Sequence, residues 1–356
     1  MTNIPAPFGV ASYSFPVSCG YARRKDKPNL ANPMQAYALA DLAAHHNLSS
    51  LEIPLDAMLP DLAPATIDAF KAYLDERHLD LLVDTGVVDV DTLTQLLPLA
   101  KRAGARVVRA VVSGILEGNR NAISKNSDML SSGWGRAALG EAKIAAAGWP
   151  EYLAEIRRRL IALLPVLKEL DLVLALENHQ DCTSDELLAF CEIDPDHIGV
   201  TLDVVNPMAV CEEPYAFANK VGPHIRDVHI KDYTVRSTPQ GYRLVRAAIG
   251  QGVIDWPRML ALLREVAPNA AYHIELAAIY ARHIHVFEDE WWSSFPPRTM
   301  SEVAPALRFM QQHAVPDSVP WRTPWEEDGD DAPETTNRYE LAQFAHSVQY
   351  LKMILK

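Results

Sequence analysis

Eight short apolar runs, most of them separated by amphipathic stretches of helical period, constrain this chain more than any other feature of its sequence. They lie near residues 8–15 (FGVASYSF), 50–55 (SLEIPL), 79–84 (LDLLVD), 106–113 (RVVRAVVS), 171–177, 198–205, 225–231 and 271–277. Between them, residues 33–46, 64–78 and 150–170 carry apolar side chains at three- and four-residue steps, the period of a buried helical face. Strands separated by helical crossovers pair in parallel, and eight such units closing on themselves make a (β/α)8 TIM barrel. An open doubly wound sheet is the alternative, because periodicity does not prove closure. The 356 residues suit one barrel with extensions as readily as two domains, so length alone leaves the count open.

Two intervals exceed a simple crossover. Residues 114–149 follow the fourth run and residues 232–254 the seventh. Both leave the C-terminal end of a strand, the face on which barrels build active sites, so they are expected to form long loops that wall a pocket. Beyond the eighth run come an aromatic segment with Trp291 and Trp292, expected mainly to pack in the core or against a subunit, a helical pattern at 301–313 and an acidic linker at 326–334. A last helical pattern covers 338–356. The expected division is a barrel over 1–300 and a helical extension over 301–356, packed on the barrel or on a second copy in a homo-oligomer.

A net charge of −13 without a compensating Lys/Arg stripe argues against nucleic acid as a partner. Cys19, Cys182, Cys191 and Cys211 show no metal-binding spacing and fit reduced, buried thiols. No segment approaches a membrane span, and a cytoplasmic location is expected.

Four polar residues end four of the runs: Glu177 in LVLALENH, Asp203 in IGVTLDVVN, His229 in IRDVHIKDY and Glu275 in AYHIELAAI. Strand side chains alternate, so Glu177 continues the face of Val173 and Ala175, which in a barrel points inward. Consecutive strands would bring all four to one mouth. A strand-end carboxylate often caps the next helix, and a lone histidine is often a core residue. Four converging together suit one divalent cation, Mn²⁺, Mg²⁺, Co²⁺ or Zn²⁺, among which the donors do not choose; Mn²⁺ is the first expectation.

His179 and Lys231 share the inward parity and are candidates for substrate hydroxyl or carboxylate contacts; a rim pairing of Lys231 with Asp232 is the structural alternative. Asn206 and Arg282 are further substrate-binding candidates. Gly250 and Gly252 precede Asp255, an expected N-cap, and Pro257 in the first turn. They suit a loop turn better than a phosphate cradle.

The segments LALENHQD, VTLDVVNP, VHIKDY, GQGVIDW and HIELAA resemble the sugar isomerase/epimerase family of the xylose isomerase-like TIM barrels, over the chain up to about residue 300. The resemblance implies that Glu177, Asp203, His229 and Glu275 bind one divalent metal, and that Glu177 and Glu275 double as an acid/base pair. Such a pair would move a proton beside a carbonyl, through an enediolate, in a small keto sugar or sugar derivative. Ketose 3-epimerases of this family usually carry histidine three residues after the strand-6 aspartate, whereas this chain has Asn206. A metal-dependent lyase, a decarboxylase or dehydratase of a keto sugar acid or inosose, is therefore the alternative activity. A noncatalytic sugar-binding barrel would not require two opposed glutamates.

Overall fold

The apolar runs become strands and the amphipathic stretches become helices, in alternation, in a computed structural model that describes residues 7–22, 30–121, 148–323, 325–326 and 333–355. In chain order these are β1 (Gly9–Ala11), α1 (Ala36–His45), β2 (Ser50–Ile53), α2 (Leu55–Met58), α3 (Pro64–Glu76), β3 (Asp80–Val87), α4 (Val90–Arg102) and β4 (Val107–Val111). There follow α5 (Trp149–Leu170), β5 (Val173–Glu177), α6 (Ser184–Cys191), β6 (Ile198–Asp203), α7 (Pro214–Val221) and β7 (Ile225–Ile230). The remainder comprises β8 (Asp232–Thr238), β9 (Gly241–Ala247), α8 (Trp256–Val266), β10 (Ala271–Ile274), β11 (Arg282–Ile284), α9 (Asp289–Trp292), α10 (Met300–Gln312) and α11 (Pro333–Ile354).

Strands β1 to β7 pair in sequence order, and β10 closes the ring between β7 and β1, every pair parallel. The chain therefore folds as the closed (β/α)8 barrel expected from its alternation, with all eight apolar runs contributing a strand. Helix α5 shows how the pattern works: Tyr152, Ile156, Leu160, Leu163 and Leu167 recur at three- and four-residue steps and are buried, while Glu151 and Arg158 on the other side are exposed. Asp255 caps α8 by accepting from the Arg258 amide, with Pro257 in the first turn.

Residues 232–254, expected as a long loop, instead begin with a β-hairpin. β8 and β9 pair antiparallel, and β11, arriving after the eighth barrel strand, adds to the free side of β9. The reason is local: DYTVRST and GYRLVRA alternate apolar and polar residues at period two, and an edge strand from elsewhere satisfies the β9 backbone. Most of the segment after the fourth strand lies outside the described residues; its start, near Gly118, meets Trp291, whose indole Nε1 donates to the Glu117 carbonyl at 2.8 Å.

Helix α11 buries Phe344, Val348 and Leu351 in the same core that fills the barrel. The Lys352 ammonium donates to the His46 carbonyl at the end of α1, and the Ile249 amide donates to Ser347 Oγ. At its other end the Glu340 carboxylate accepts from the Val17 and Ser18 amides at 2.9 Å each, and from Ser18 Oγ. The helix thus ties the loop after β1 to the loop before α8.

Candidate metal and acid/base site

Parity and register decide what lines the barrel. Asp203 is level with His229, His229 with His273, Glu177 with Thr201, and Arg109 with both Asp84 and Ala175. These side chains share the inner face, and Glu52, level with Leu82, follows the same parity as Asp84. The lumen is therefore not the stack of small apolar residues expected below Glu177. It holds the buried carboxylates Glu52, Asp84, Glu177, Asp203, Asp227 and Glu275 together with Arg109, Lys231, His229 and His273. Even with both imidazoles protonated, these groups leave an excess of negative charge in a medium that desolvates it.

The four strand-end residues converge as expected. Glu177, Asp203 and His229 place one donor atom each within 4.8 Å of one another. Glu275 joins them through His229: its Oε2 and the Glu177 Oε1 both lie 3.7 Å from His229 Nδ1. That nitrogen has no hydrogen-bond partner although it is buried, whereas His229 Nε2 is 2.8 Å from Glu52 Oε2. A carboxylate on one imidazole nitrogen fixes the tautomer that offers the other as a lone pair, the arrangement found behind metal-binding histidines. An orphaned imidazole nitrogen, three surrounding carboxylates, no thiolate among them and excess negative charge all fit a divalent cation.

Deeper in the lumen, Glu52, Asp227 and His229 form a second compact group. Hydrogen bonding occupies it in part, while Asp227 Oδ2 is buried without a hydrogen-bond partner. His273 joins Asp227 at 2.8 Å through Nδ1 and Ser50 Oγ at 2.9 Å through Nε2. Among the protein's own groups, mutual attraction prevails over burial: Glu52 is held down to about 2 and His229 is raised to about 9, with His273 also raised, so a cation bound at His229 Nδ1 would displace a proton from it. Asp84, whose burial outweighs its pairing with Arg109, is pushed up to about 6.

Protein cations border the site. Arg109 ion-pairs with both Asp84 and Glu177. Lys231 lies 2.6 Å from Asp203 Oδ2 and also ion-pairs with Glu275. The rim pairing of Lys231 with Asp232 is thus replaced by two contacts inside the site. Burial tends to raise Glu275, yet Lys231 and His229 hold it below the ordinary glutamate range.

Asn206, two per cent exposed, directs Nδ2 toward Glu177 Oε1 at 3.5 Å, and its Oδ1 is 3.3 Å from Gln180 Nε2. His179 is buried; desolvation and the nearby Arg109, Lys231, Arg282 and Arg246 hold it well below the usual imidazole range, hence neutral. Arg282 comes from β11 rather than from a loop. Trp291 and Trp292 pack on each other and Phe295.

Asp232 answers the question raised by the glycine pair. Its carboxylate accepts from the Gly250, Gly252 and Ile254 amides at 3.2, 3.2 and 3.3 Å and from Trp256 Nε1 at 3.0 Å. A protein carboxylate fills the turn, leaving no phosphate cradle. Gly250 sits at φ +85°, and a Cβ on Gly252 would fall 2.1 Å from Asp232 Oδ1, so glycine is required at both.

Sequence reading missed Glu52, Asp84, Arg109, Asp227 and His273, which lie inside the apolar strands rather than at their ends. Parity carried a signal for two of them: Asp227 and His273 stand two residues before His229 and Glu275 and therefore share their faces.

Residues 40–290 match the sequence model of the xylose isomerase-like TIM barrels. The uncharacterized protein YihM of Escherichia coli strain K12 is 24% identical over 277 residues, 74% of either chain. Among solved structures, D-psicose 3-epimerase with D-tagatose from Clostridium cellulolyticum H10 superposes with a TM-score of 0.52 at 14% identity, covering 86% of this chain and 98% of the other. A xylose isomerase-like TIM barrel protein of Mycobacterium smegmatis, in complex with magnesium, gives 0.51 at 16% identity and 88% and 100% coverage. At such identities these structures establish a shared fold.

Proposed function

Because this chain belongs to the family of xylose isomerase-like TIM barrels, we propose that it is a divalent-metal-dependent isomerase or epimerase of a small keto sugar or sugar derivative. The observation that carries the reading is the pair of glutamates, Glu177 and Glu275, flanking the unpartnered Nδ1 of His229 at 3.7 Å each. Glu177, Asp203, His229 and Glu275 would hold the cation. When bound, the cation would withdraw charge from a substrate carbonyl and its neighbouring hydroxyl.

The chain's own groups do the rest. One glutamate removes the proton next to the carbonyl and the other returns a proton from its side, moving it to the adjacent carbon or inverting the centre. Arg109 and the Asn206 amide orient Glu177, while Lys231 steadies Glu275. The two carboxylates therefore have different cationic partners, which suits one to take a proton and the other to deliver it. Neutral His179 is suited to bonding a substrate hydroxyl.

A second reading, a lyase of a keto sugar acid or inosose, draws support from the Lys231 ammonium, which stands beside both Asp203 and Glu275 and could stabilise the enolate left by loss of CO₂, or the enolate that a glutamate forms by removing a proton before hydroxide is expelled and protonated to water. Incubation of the Mn²⁺-loaded protein with keto sugars and keto sugar acids in D₂O, followed by NMR with CO₂ detection, separates the two. Deuterium in an isomeric product is expected; release of CO₂ or water without isomerisation assigns the lyase. Replacing Glu275→Gln is expected to lower turnover by about 10²–10⁴-fold, and a fully active variant would remove the assigned role.

A further inference from the structure

Two arginines above the metal-site residues form no ion pair among the described residues; Glu117 acts on Arg282, and Glu275 on Arg246, only at longer range. Arg246 on β9 and Arg282 on β11 are 7% and 8% exposed, and neither forms an ion pair with a described carboxylate. The Nε of each is buried without a hydrogen-bond acceptor. An arginine kept from water and unpaired is costly, and two side by side are more so.

The register of the three-stranded sheet places them together. Arg282 pairs with Leu244, two residues from Arg246 on β9, and Tyr233 of β8 pairs with Arg246. Cross-strand partners and second neighbours along a strand share a face, so Tyr233, Arg246 and Arg282 project to the same side. That side faces the barrel mouth. Arg246 donates to the Tyr233 hydroxyl, and that hydroxyl is 3.5 Å from Gln180 Nε2, whose amide also reaches Asn206. Both guanidinium groups bear electrostatically on His179 and Tyr13, and Arg246 bears also on Lys231 and Glu275. Their closeness is mutual: burial, with Arg246 beside it, pulls Arg282 below the usual guanidinium range.

We infer that Arg246 and Arg282 form a subsite for an anionic group of the substrate, with the Tyr233 hydroxyl orienting Arg246, so that the enzyme acts on acidic sugars in preference to neutral ones. A planar carboxylate or a tetrahedral oxyanion such as phosphate would find in the two guanidinium groups the charge and the N–H donors that the protein leaves unused. The sheet that presents them is built from the segment after the seventh barrel strand and the segment after the eighth, so the specificity is set by the elaboration of the barrel while the chemistry stays in its lumen. The inference rests on the proposed reading only in placing the keto group of that substrate beside Glu177 and Glu275.

Calorimetric titration of the Mn²⁺-loaded protein at low ionic strength, with 2-keto-D-gluconate, D-fructose 6-phosphate and D-fructose as probes, tests it. Wild type is expected to bind at least one of the charged probes about tenfold or more tightly than D-fructose, and the better of the two identifies carboxylate or phosphate as the anion. Arg282→Gln should bring the charged and neutral probes to within about twofold of each other, and Arg282→Lys should retain a preference, both with the wild-type circular dichroism spectrum and Mn²⁺ content. Equal or undetectable binding of all three probes by wild type, or a preference that survives in Arg282→Gln, overturns the subsite. Deuterium exchange into D-fructose without an anion preference would remove the subsite and leave the proposed function. An anion preference with no exchange in any probe would do the reverse.

Discussion

At the scale of single residues, the lumen is organised around His229. Glu52 takes one ring nitrogen and leaves the other facing Glu177 and Glu275. Glu52 touches no proposed ligand except this imidazole, so its part is to fix the ring. Glu52→Gln is expected to weaken Mn²⁺ binding by roughly 10–100-fold, measured by calorimetry, with little change in the circular dichroism spectrum; an unchanged affinity would show that His229 needs no such support. The strand-end positions of Glu177, Asp203, His229 and Glu275 made their convergence legible in the sequence: each alone has a structural use, but four polar groups closing apolar runs of the same barrel must meet at one mouth. Arg109 and Asp84 were not legible. Nothing in RVVRAVVS says that its second arginine lies level with an aspartate 25 residues earlier and beside a glutamate on the next barrel strand. Ion pairs of that kind depend on register between strands, which a single sequence does not display.

At the scale of elements, the hairpin and its third strand convert a long insertion into a rigid wall over the site. Asp232 anchors the return of that segment to α8 through four donors. Asp232→Ala would leave the buried Ile254 amide and Trp256 indole, and the partly exposed Gly250 and Gly252 amides, without their acceptor, and is expected to cost on the order of 2 kcal/mol, seen as a lower midpoint in chemical denaturation. Asp232→Asn, which keeps one acceptor oxygen, should cost less; equal, negligible losses in both would mean that the turn holds itself. The period-two alternation on both sides of Gln240 marks the hairpin in the sequence, although an interval of that length suits a long loop equally well. The addition of β11 was not readable, since three residues beyond the eighth barrel strand carry too little pattern to mark a strand.

At the scale of the whole molecule, the barrel depends on a helix that follows it by a long stretch of chain. Glu340 is fully buried where it meets the Val17 and Ser18 amides, and burial pushes its carboxyl up to about 7 against the pull of those donors. A carboxyl whose folded-state value lies above its unfolded one contributes stability that is fully present below about 4.5 and is lost as pH rises through about 7. Wild type should accordingly lose up to about 3 kcal/mol relative to Glu340→Gln between pH 4.5 and 8. Thermal midpoints of the two proteins that run parallel across that range would remove this account. The helical period of 338–356 announced the helix and its apolar face, while its contact with the loop after β1 could not be read, because sequence gives the face and not what it covers.

The joining of Glu340 to Val17 spans 323 residues. At the roughly 5–20 residues per second of protein synthesis, the β1 loop waits about a quarter of a minute to a minute after leaving the ribosome for the side chain that satisfies its amides. Through that interval Phe15, which ends edge-on against Phe344, has no aromatic partner there. All eight barrel strands and the β1–β10 pair that closes the ring precede that helix in the chain, so the loop after β1 is the part of the barrel whose amides gain their acceptor last.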